Sequence, residues 1–213
     1  MKRVVAWLSV GLAALTVAGC SGESMREHTL TPDPPVSEPA TPVPSGDRGL
    51  PHSGAPGVTA PLPESVLSGD PCDALTAQQV EDALGQGASE GQRRDLEEVG
   101  PRCGWSNEKT FGGMSLAFVT AIREGLSVEY ANVKPKKAVF REAGPVMGFP
   151  AVAYKDSEND RTCTFVVGLA DEYSISVNIG LSAGKEAEGV DSCVPAEMVA
   201  EMVVGNLKAK AGE

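Results

Sequence analysis

The sequence predicts an α+β domain over residues 66–213, built as a mainly antiparallel sheet with packed N-terminal and C-terminal helices. Runs in which apolar and polar residues alternate are typical of strands, and Ile175, Val177 and Ile179 belong to one of them. These runs follow one another with turns between them, which favours antiparallel pairing, while helical patterns stand before and after them. Four cysteines in the same segment indicate two disulfides that stabilise it.

A first helix is expected from Thr76 to Leu84. Thr76 and Gln79 match a capping box, in which the two side chains bind free backbone amides of the first turn. Gly85 is typical of the residue that follows a helix. A last helix is expected from about Pro195, because apolar residues recur there along one stripe. The stripe consists of Met198, Val199, Met202, Val203 and Leu207.

Between the two helices, the alternation predicts five strands. They cover Arg102–Ser106, Met114–Ile122, Pro150–Lys155, Cys163–Ala170 and Tyr173–Leu181. Asp171 and Glu172 suit a tight hairpin between the last two strands, and residues 107–113 suit a longer turn between the first two. Residues 126–133 are ambiguous and fit a short helix that begins at Ser127.

Residues 1–19 are expected to be a lipoprotein signal peptide. Lys2 and Arg3 precede an apolar run that is too short to span a bilayer comfortably, and small residues follow it. The sequence VAGC at 17–20 resembles the bacterial lipobox, which implies cleavage before Cys20 and a diacylglycerol group on its sulfur. The alternative is an ordinary secretory peptide, which would leave an odd reactive thiol. The chain is therefore expected at the extracellular face of the cell membrane, anchored through lipid on Cys20.

Residues 20–65 are expected to form a disordered stalk that carries the lipidated cysteine. Ten of the sixteen prolines lie here, with few large aliphatic residues and no Phe, Trp or Tyr. Such a segment has little apolar surface with which to offset the loss of chain entropy on folding. A spacer between membrane and domain is the simplest interpretation, and a proline-rich ligand for a partner is the alternative.

The other cysteines, Cys72, Cys103, Cys163 and Cys193, allow three pairings. The preferred pairs are Cys72–Cys103 and Cys163–Cys193. The first pair would tie the entry of the first helix to the first strand, and the second would tie a central strand to the last helix. A zinc site is the alternative, but the domain has no CxxC pair and no histidine, so neither a metal nor a cofactor is expected.

Six segments resemble the actinobacterial DUF3558 lipoprotein family. They are Asp70–Thr76, Leu84–Gly85, Arg102–Trp105, Gly148–Val152, Cys163–Val167 and Asp191–Cys193. The resemblance extends over nearly all of residues 70–210, and the signal peptide, Cys20 and the proline-rich stalk fit the family's layout. It implies a cell-surface lipoprotein of a high-GC Gram-positive bacterium and supports the disulfide pairing. It supplies no catalytic residue, because the family has no known function.

Two segments match functional motifs but lack the residues that the chemistry needs. Gly180–Gly184 matches GxSxG, yet the domain offers no histidine to activate Ser182, and a polar loop is expected after it. Residues 156–160 alternate oxygen-bearing side chains as calcium loops do, but Arg161 stands where glycine is needed, so a solvated turn is expected.

A solvated basic loop and a buried tryptophan are also expected. The basic residues are Lys134, Lys136, Lys137 and Arg141, and Trp105 is expected to pack over a disulfide.

The balance of acidic and basic residues argues against two classes of binding partner. With 29 Asp and Glu against 18 Lys and Arg, the net charge of −11 argues against nucleic acid and against electrostatic docking on anionic lipid. We therefore expect not an enzyme but a non-catalytic, membrane-anchored extracellular protein that binds a protein or cell-envelope component. The alternative is a small-molecule or lipid carrier with an apolar pocket between sheet and helix. That pocket would be lined by residues such as Phe118, Phe140, Phe165 and Met202.

Overall fold

The computed structural model describes residues 49–213, which contain three α-helices and seven strands. The helices are α1 (Ala77–Leu84), α2 (Ala183–Ala187) and α3 (Cys193–Ala211). The strands are β1 (Gln92–Arg93), β2 (Arg102–Asn107), β3 (Gly112–Val119), β4 (Val139–Val146), β5 (Phe149–Lys155), β6 (Thr162–Gly168) and β7 (Ser174–Gly180). Single turns of 3₁₀-helix cover Glu64–Leu67 and Pro71–Ala74, and a π-helical turn covers Glu129–Val133.

All seven strands form one antiparallel sheet in the order β1-β2-β3-β7-β6-β5-β4. Two meanders, β1-β2-β3 and β4-β5-β6-β7, meet where β3 pairs with β7. The α+β class and the antiparallel sheet predicted from the alternating pattern are therefore confirmed.

The inner face of the sheet is buried under α3. Leu116, Phe165 and Val177 project from adjacent central strands and have almost no exposed surface. Val199 and Val203 of α3 are equally buried in the same cluster. Met198, placed in the same stripe by the sequence pattern, is instead 57% exposed. It was misassigned because α3 is apolar on more than one side, so spacing alone does not identify the buried face.

The outer face of the sheet is covered over only part of its area. Val152 and Val166, which point away from the main core, form a small second cluster with Leu126 and Tyr130. These last two residues flank or belong to the π-helical turn, so the helical interpretation of residues 126–133 is confirmed. Ala55, from the N-terminal part of the described chain, also packs on this cluster.

Residues 49–65 pack on the domain, so the expectation of a disordered stalk up to residue 65 was wrong for this part. Leu62 is 1% exposed, and its backbone amide donates to the carbonyl of Leu169 at 3.1 Å. The Val58 amide donates to Asp171 Oδ1 at 2.9 Å, and the Tyr173 hydroxyl donates to the Leu62 carbonyl. The low apolar content of this segment predicted that it would not pack. Burial of Leu62 and hydrogen bonds with the domain compensate for that low content. Residues 1–48, which include the expected signal peptide, Cys20 and the rest of the expected stalk, lie outside the described residues.

The strands β1 and β4 and the helix α2 were not predicted. β1 has only two residues, too few to show an alternation. β4 is an edge strand with few buried residues, and its register shifts between Ala143 and Val146, so it lacks a clear alternation. Residues 183–187 form a helical turn rather than the expected loop, because the Ser182 hydroxyl accepts a hydrogen bond from the Lys185 amide and caps it.

The two preferred disulfides are present. Cys72 is bonded to Cys103 and Cys163 to Cys193. Trp105 is buried beside the first disulfide, as expected. Gly91 is the residue that lets this contact close, since a Cβ atom there would lie 2.8 Å from both Cys103 Sγ and Trp105 Nε1. The first bridge thus holds the Pro71–Ala74 turn on β2, and the second holds the start of α3 on β6.

The two disulfides close loops of nearly equal length, with separations of 31 and 30 residues. On the loop-entropy model, each should stabilise the fold by roughly 3–4 kcal/mol. We expect strong reductant to lower the melting temperature by more than about 10 °C in a Cys20→Ser background, measured by calorimetry. Paired substitution of either bridge by alanine should give about half of this loss. An unchanged melting curve under reductant would contradict a structural role for the bridges.

Candidate functional site

The uncovered part of the outer face forms a groove, here called the open groove, with a volume of about 400 Å³. It lies on the outer face of the sheet and is lined by residues of β1, β2, β3, β6 and β7. Its lining consists of Ser89, Gln92, Arg94, Arg102, Gly104, Trp105, Ser106, Gly113, Met114, Ser115, Thr162, Asn178 and Gly180. Small and polar residues dominate this set, and its only ionisable side chains are two arginines.

Three glycines on neighbouring strands make the floor of the groove. Gly113 of β3 lies opposite Gly180 of β7, and Gly104 of β2 lies nearby on the same face. None of the three has a positive φ. A Cβ atom at Gly104 or Gly180 would find its nearest neighbour at 3.9 Å and 3.8 Å, which is ordinary contact. Glycine in a strand costs about 0.5–1 kcal/mol relative to alanine. The fold does not require it at Gly104 or Gly180, so its effect there is to keep the floor bare.

A row of polar side chains runs across the outer face beside these glycines. Tyr154, Thr164, Asn178 and Ser115 are consecutive partners across β5, β6, β7 and β3. Asn178 Nδ2 donates to Thr164 Oγ1 at 2.9 Å, and Arg102 Nη2 donates to Ser115 Oγ at 3.0 Å. These hydrogen bonds fix the orientation of the polar groups before any ligand arrives.

Two arginines stand opposite each other at one side of the groove. The β1–β2 ladder pairs Gln92 with Gly104 and Arg93 with Cys103. The Arg94 amide then donates to the Arg102 carbonyl at 2.7 Å, so these two residues face each other across the strands and their side chains share the outer face. Neither guanidinium contacts a carboxylate of the described residues, which leaves two positive charges at the groove.

A buried carboxyl lies beyond the other end of the polar row. Glu129 is 7% exposed, and its Oε2 atom has no hydrogen-bond partner within residues 49–213. Burial raises the pKa of Glu129 to about 7, and the nearby Tyr154 hydroxyl offsets only part of this effect. Burial and the charge of Glu129 in turn raise the pKa of Tyr154. Glu129 does not line the open groove. We therefore assign its burial and its raised pKa to the packing of the fold and not to the binding of a ligand.

Of the two motifs that the sequence matches, GxSxG reaches the open groove only through Gly180, and the calcium-type turn does not line it. Ser182 of the GxSxG motif caps α2 through its hydroxyl oxygen. In the expected turn before β6, Asp160 Oδ1 accepts a hydrogen bond from the Thr162 amide at 2.9 Å. No group of three or more potential metal ligands occurs among residues 49–213.

The basic residues that were expected in a solvated loop are partly engaged by the domain. Lys137 pairs with Asp156 at 2.6 Å, and Arg141, which belongs to β4, pairs with Asp191 at 3.6 Å. Lys134 Nζ lies 4.8 Å from the ring centroid of Tyr130. Placing Arg141 in a loop was therefore wrong, because the edge strand β4 had not been recognised.

The four residues proposed to line one pocket between sheet and helix are not brought together. Phe118 and Phe165 lie in the main core, whereas Phe140 packs on the outer face with its ring centroid 5.4 Å from that of Tyr130. Met202 is only partly buried at the edge of the core. A cavity of about 340 Å³ does occur beside Phe118 and Leu207.

Sequence reasoning missed the groove residues, although one signal pointed towards them. In β6 and β7, Thr162, Thr164, Asn178 and Gly180 are the polar or small members of the alternation. That pattern indicates an outer face without an apolar cover. Arg94 and Arg102 could not be assigned to this outer face from the sequence, because their position depends on the register between β1 and β2.

The family model described as "Protein of unknown function (DUF3558)" matches residues 15–206. No curated protein and no solved structure matches the chain significantly. Among residues 49–213, no helix is long and apolar enough to cross a membrane.

Glu129 should make the stability of the fold depend on pH. Because its pKa is raised in the folded state, the folded protein binds more protons than the unfolded chain between about pH 4.5 and 7, and stability falls as pH rises through this range. Relative to Glu129→Gln, the wild-type free energy of unfolding should drop by up to about 3 kcal/mol across it. Urea titrations at a series of pH values measure this difference. Glu201→Gln, at an exposed position of α3, is the control, and parallel pH profiles of wild type and Glu129→Gln would contradict the assignment.

Proposed function

Because the chain belongs to the DUF3558 family, whose description names no activity, we propose its function from its own sequence and geometry. We infer a non-catalytic, lipid-anchored protein of the extracellular membrane face, which binds a protein or another component of the cell envelope through the open groove. The observation that carries this proposal is the bare, polar floor of the groove on the uncovered part of the outer face.

The anchor is supported by the sequence around Cys20. A charged start and a short apolar run lead to the VAGC tetrapeptide, which ends at Cys20, as in bacterial lipoproteins. Between Cys20 and Gly49, the first described residue, the chain has 28 residues, which can extend up to about 100 Å. This length leaves the groove free to meet partners at a distance from the lipid surface.

Binding without catalysis is supported by the chemistry of the groove. Its lining contains no histidine, carboxylate, lysine or free thiol that could transfer a proton or attack a substrate. Arginine stays protonated at all physiological pH values and therefore serves as a donor and a charge. His52 does not line the groove. Its backbone amide donates to Ser127 Oγ, and its ring lies 3.6 Å from Glu124.

The glycine floor supports a ligand at this position more directly. Gly104 and Gly180 weaken their strands, yet a Cβ atom at either position would make only ordinary contact with the backbone. A ligand that approaches the sheet closely accounts for both glycines at once.

A carrier of small molecules or lipids is the second candidate. The cavity of about 340 Å³ beside Phe118 and Leu207 supports it. Asp70, Asp73 and Lys210 share that cavity, and Lys210 Nζ donates to the Val66 and Ser68 carbonyls. This lining is polar, and its Lys210 ammonium is already bonded to two backbone carbonyls. It therefore suits an acyl chain less well than a closed apolar pocket would. Lipid that co-purifies with the protein and is lost on Phe118→Trp would favour the carrier.

Lipid attachment should depend on Cys20. We expect an alkyne analogue of palmitate to label the wild-type chain in its host cells, and a Cys20→Ser chain to lose the label and to leave the membrane fraction. Cys72→Ser with Cys103→Ser is the matched control, which should keep both label and membrane association. A Cys20→Ser chain that stays labelled would contradict the anchor.

Filling the groove should abolish partner binding and leave the fold intact. Gly104→Val with Gly180→Val places branched side chains, which strands favour, onto the groove floor. Cross-linking in intact cells, followed by mass spectrometry, should recover a partner with wild type and lose it with this variant. Gly144→Val on β4, where nothing lies within 4 Å of an added Cβ, is the control and should keep the partner. Equal recovery from both variants, at equal melting temperature, would contradict binding through the groove.

A further inference from the structure

The two arginines of the groove differ from every other arginine in residues 49–213. The other four each approach a carboxylate: Arg93 pairs with Asp95 at 2.9 Å, Arg123 with Glu64 at 2.5 Å, Arg141 with Asp191 at 3.6 Å and Arg161 with Glu186 at 3.6 Å. Arg94 and Arg102 have no such partner within this part of the chain, although acidic residues outnumber basic ones, 29 to 18. Both line the open groove.

The position of this pair is unfavourable for the fold by itself. Like charges directly opposite each other on neighbouring strands repel, and no carboxylate of the groove lining compensates them. Arg102 is held on the floor by its hydrogen bond to Ser115 Oγ at 3.0 Å, so it cannot turn away from Arg94 without losing that bond. Arg94 is exposed and stands opposite this fixed guanidinium on the same groove. Two guanidinium groups that line one groove can receive an oxyanion, which guanidinium binds through paired hydrogen bonds.

The rest of the lining is complementary to hydroxyl groups. Ser106, Thr162, Asn178 and Gln92 supply hydroxyl and amide side chains that both donate and accept. The glycine floor allows a ring to approach the sheet closely, and a volume of about 400 Å³ lies within the usual range for small-ligand sites, roughly 300–1,000 Å³.

We propose that the open groove binds an anionic carbohydrate, with its carboxylate or phosphate held between Arg94 and Arg102 and its hydroxyls on the polar floor. The inference rests on the proposed function and names the class of its ligand. An acidic peptide fits less well, because the backbone groups of the floor are already paired in the sheet ladder and the lining has no apolar pocket for peptide side chains.

Calorimetric titration of the full chain, carrying Cys20→Ser, with four probes tests the ligand class. The probes are tetragalacturonate, glucose 6-phosphate, neutral maltotetraose and tetraglutamate. We expect both anionic sugars to bind more tightly than maltotetraose, and tetragalacturonate to bind at least tenfold more tightly than tetraglutamate, although these two carry similar numbers of carboxylates. The tighter of the two anionic sugars identifies the oxyanion. Equal binding of tetraglutamate would overturn the carbohydrate assignment in favour of an acidic peptide.

Substitution of the arginines tests the receptor itself. Arg94→Gln and Arg102→Gln should each weaken binding of the anionic sugar by about tenfold, since each removes a charge-assisted contact. Arg93→Gln removes the same charge from the adjacent residue, whose side chain faces away from the groove, and should change the affinity less than twofold. Equal weakening by Arg93→Gln would show that only the net charge matters and would overturn the proposal, as would the absence of binding by either anionic sugar.

Different results would contradict binding through the groove and binding of an anionic sugar. If Gly104→Val with Gly180→Val removes the cross-linked partner while neither anionic sugar binds, the groove remains the binding surface and the carbohydrate class is wrong. If anionic sugars bind and both valines leave their affinity unchanged, the sugar site lies outside the groove and the carbohydrate assignment is wrong. If the two valines also leave the cross-linked partner in place, the proposed function is wrong as well. Melting temperatures of all variants, measured without ligand, show whether each loss concerns binding and not folding.

Discussion

Helix α3 covers the inner face of the central strands, and this single packing arrangement is what permits the outer face to remain polar. Phe165, Val177 and Val203 meet in an interior with almost no exposed surface. The helix is also held at its start, since Cys193 is bonded to Cys163 and its amide donates to Asp191 Oδ1 at 2.9 Å. With the apolar surface concentrated on one side, the strands β2, β3, β6 and β7 can present glycine, serine and asparagine on the other.

The extent of the open groove is set by what covers the remaining outer face. The turn at Glu129–Val133 and the segment around Ala55 pack on Val152 and Val166, and the polar row begins where this cover ends. The N-terminal segment that packs here is therefore part of the domain and not a spacer. It limits the groove to the side where Arg94 and Arg102 stand. The bare floor and two positive charges that no carboxylate of residues 49–213 pairs with therefore lie together.

The parts of the fold that could be predicted are those that local pattern determines. The capping box at Thr76 marked α1, alternation marked β6 and β7, and the cysteines paired as their positions suggested. β4 escaped because an exposed edge strand has no apolar alternation to detect. The packing of residues 49–65 escaped because it depends on Leu62 meeting Leu169 across more than a hundred residues, which composition does not encode.

The candidate site was less predictable than the fold, for a reason that its arginines illustrate. Arg93 and Arg94 are neighbours in the sequence and look alike, yet one pairs with Asp95 and the other faces Arg102. Only the register of the β1–β2 ladder separates their roles, and register is a property of the assembled sheet.

The net charge of −11 affects how anions approach the two arginines of the groove. At long range the acidic protein repels a polyanion, while within a Debye length of about 10 Å the two arginines attract one. On the proposed assignment, an anion gains affinity by fitting between Arg94 and Arg102, whereas an anion that stays outside the groove meets the net negative charge of the protein. The acidity that argues against nucleic acid as a partner thus adds selectivity to the anion site that we propose.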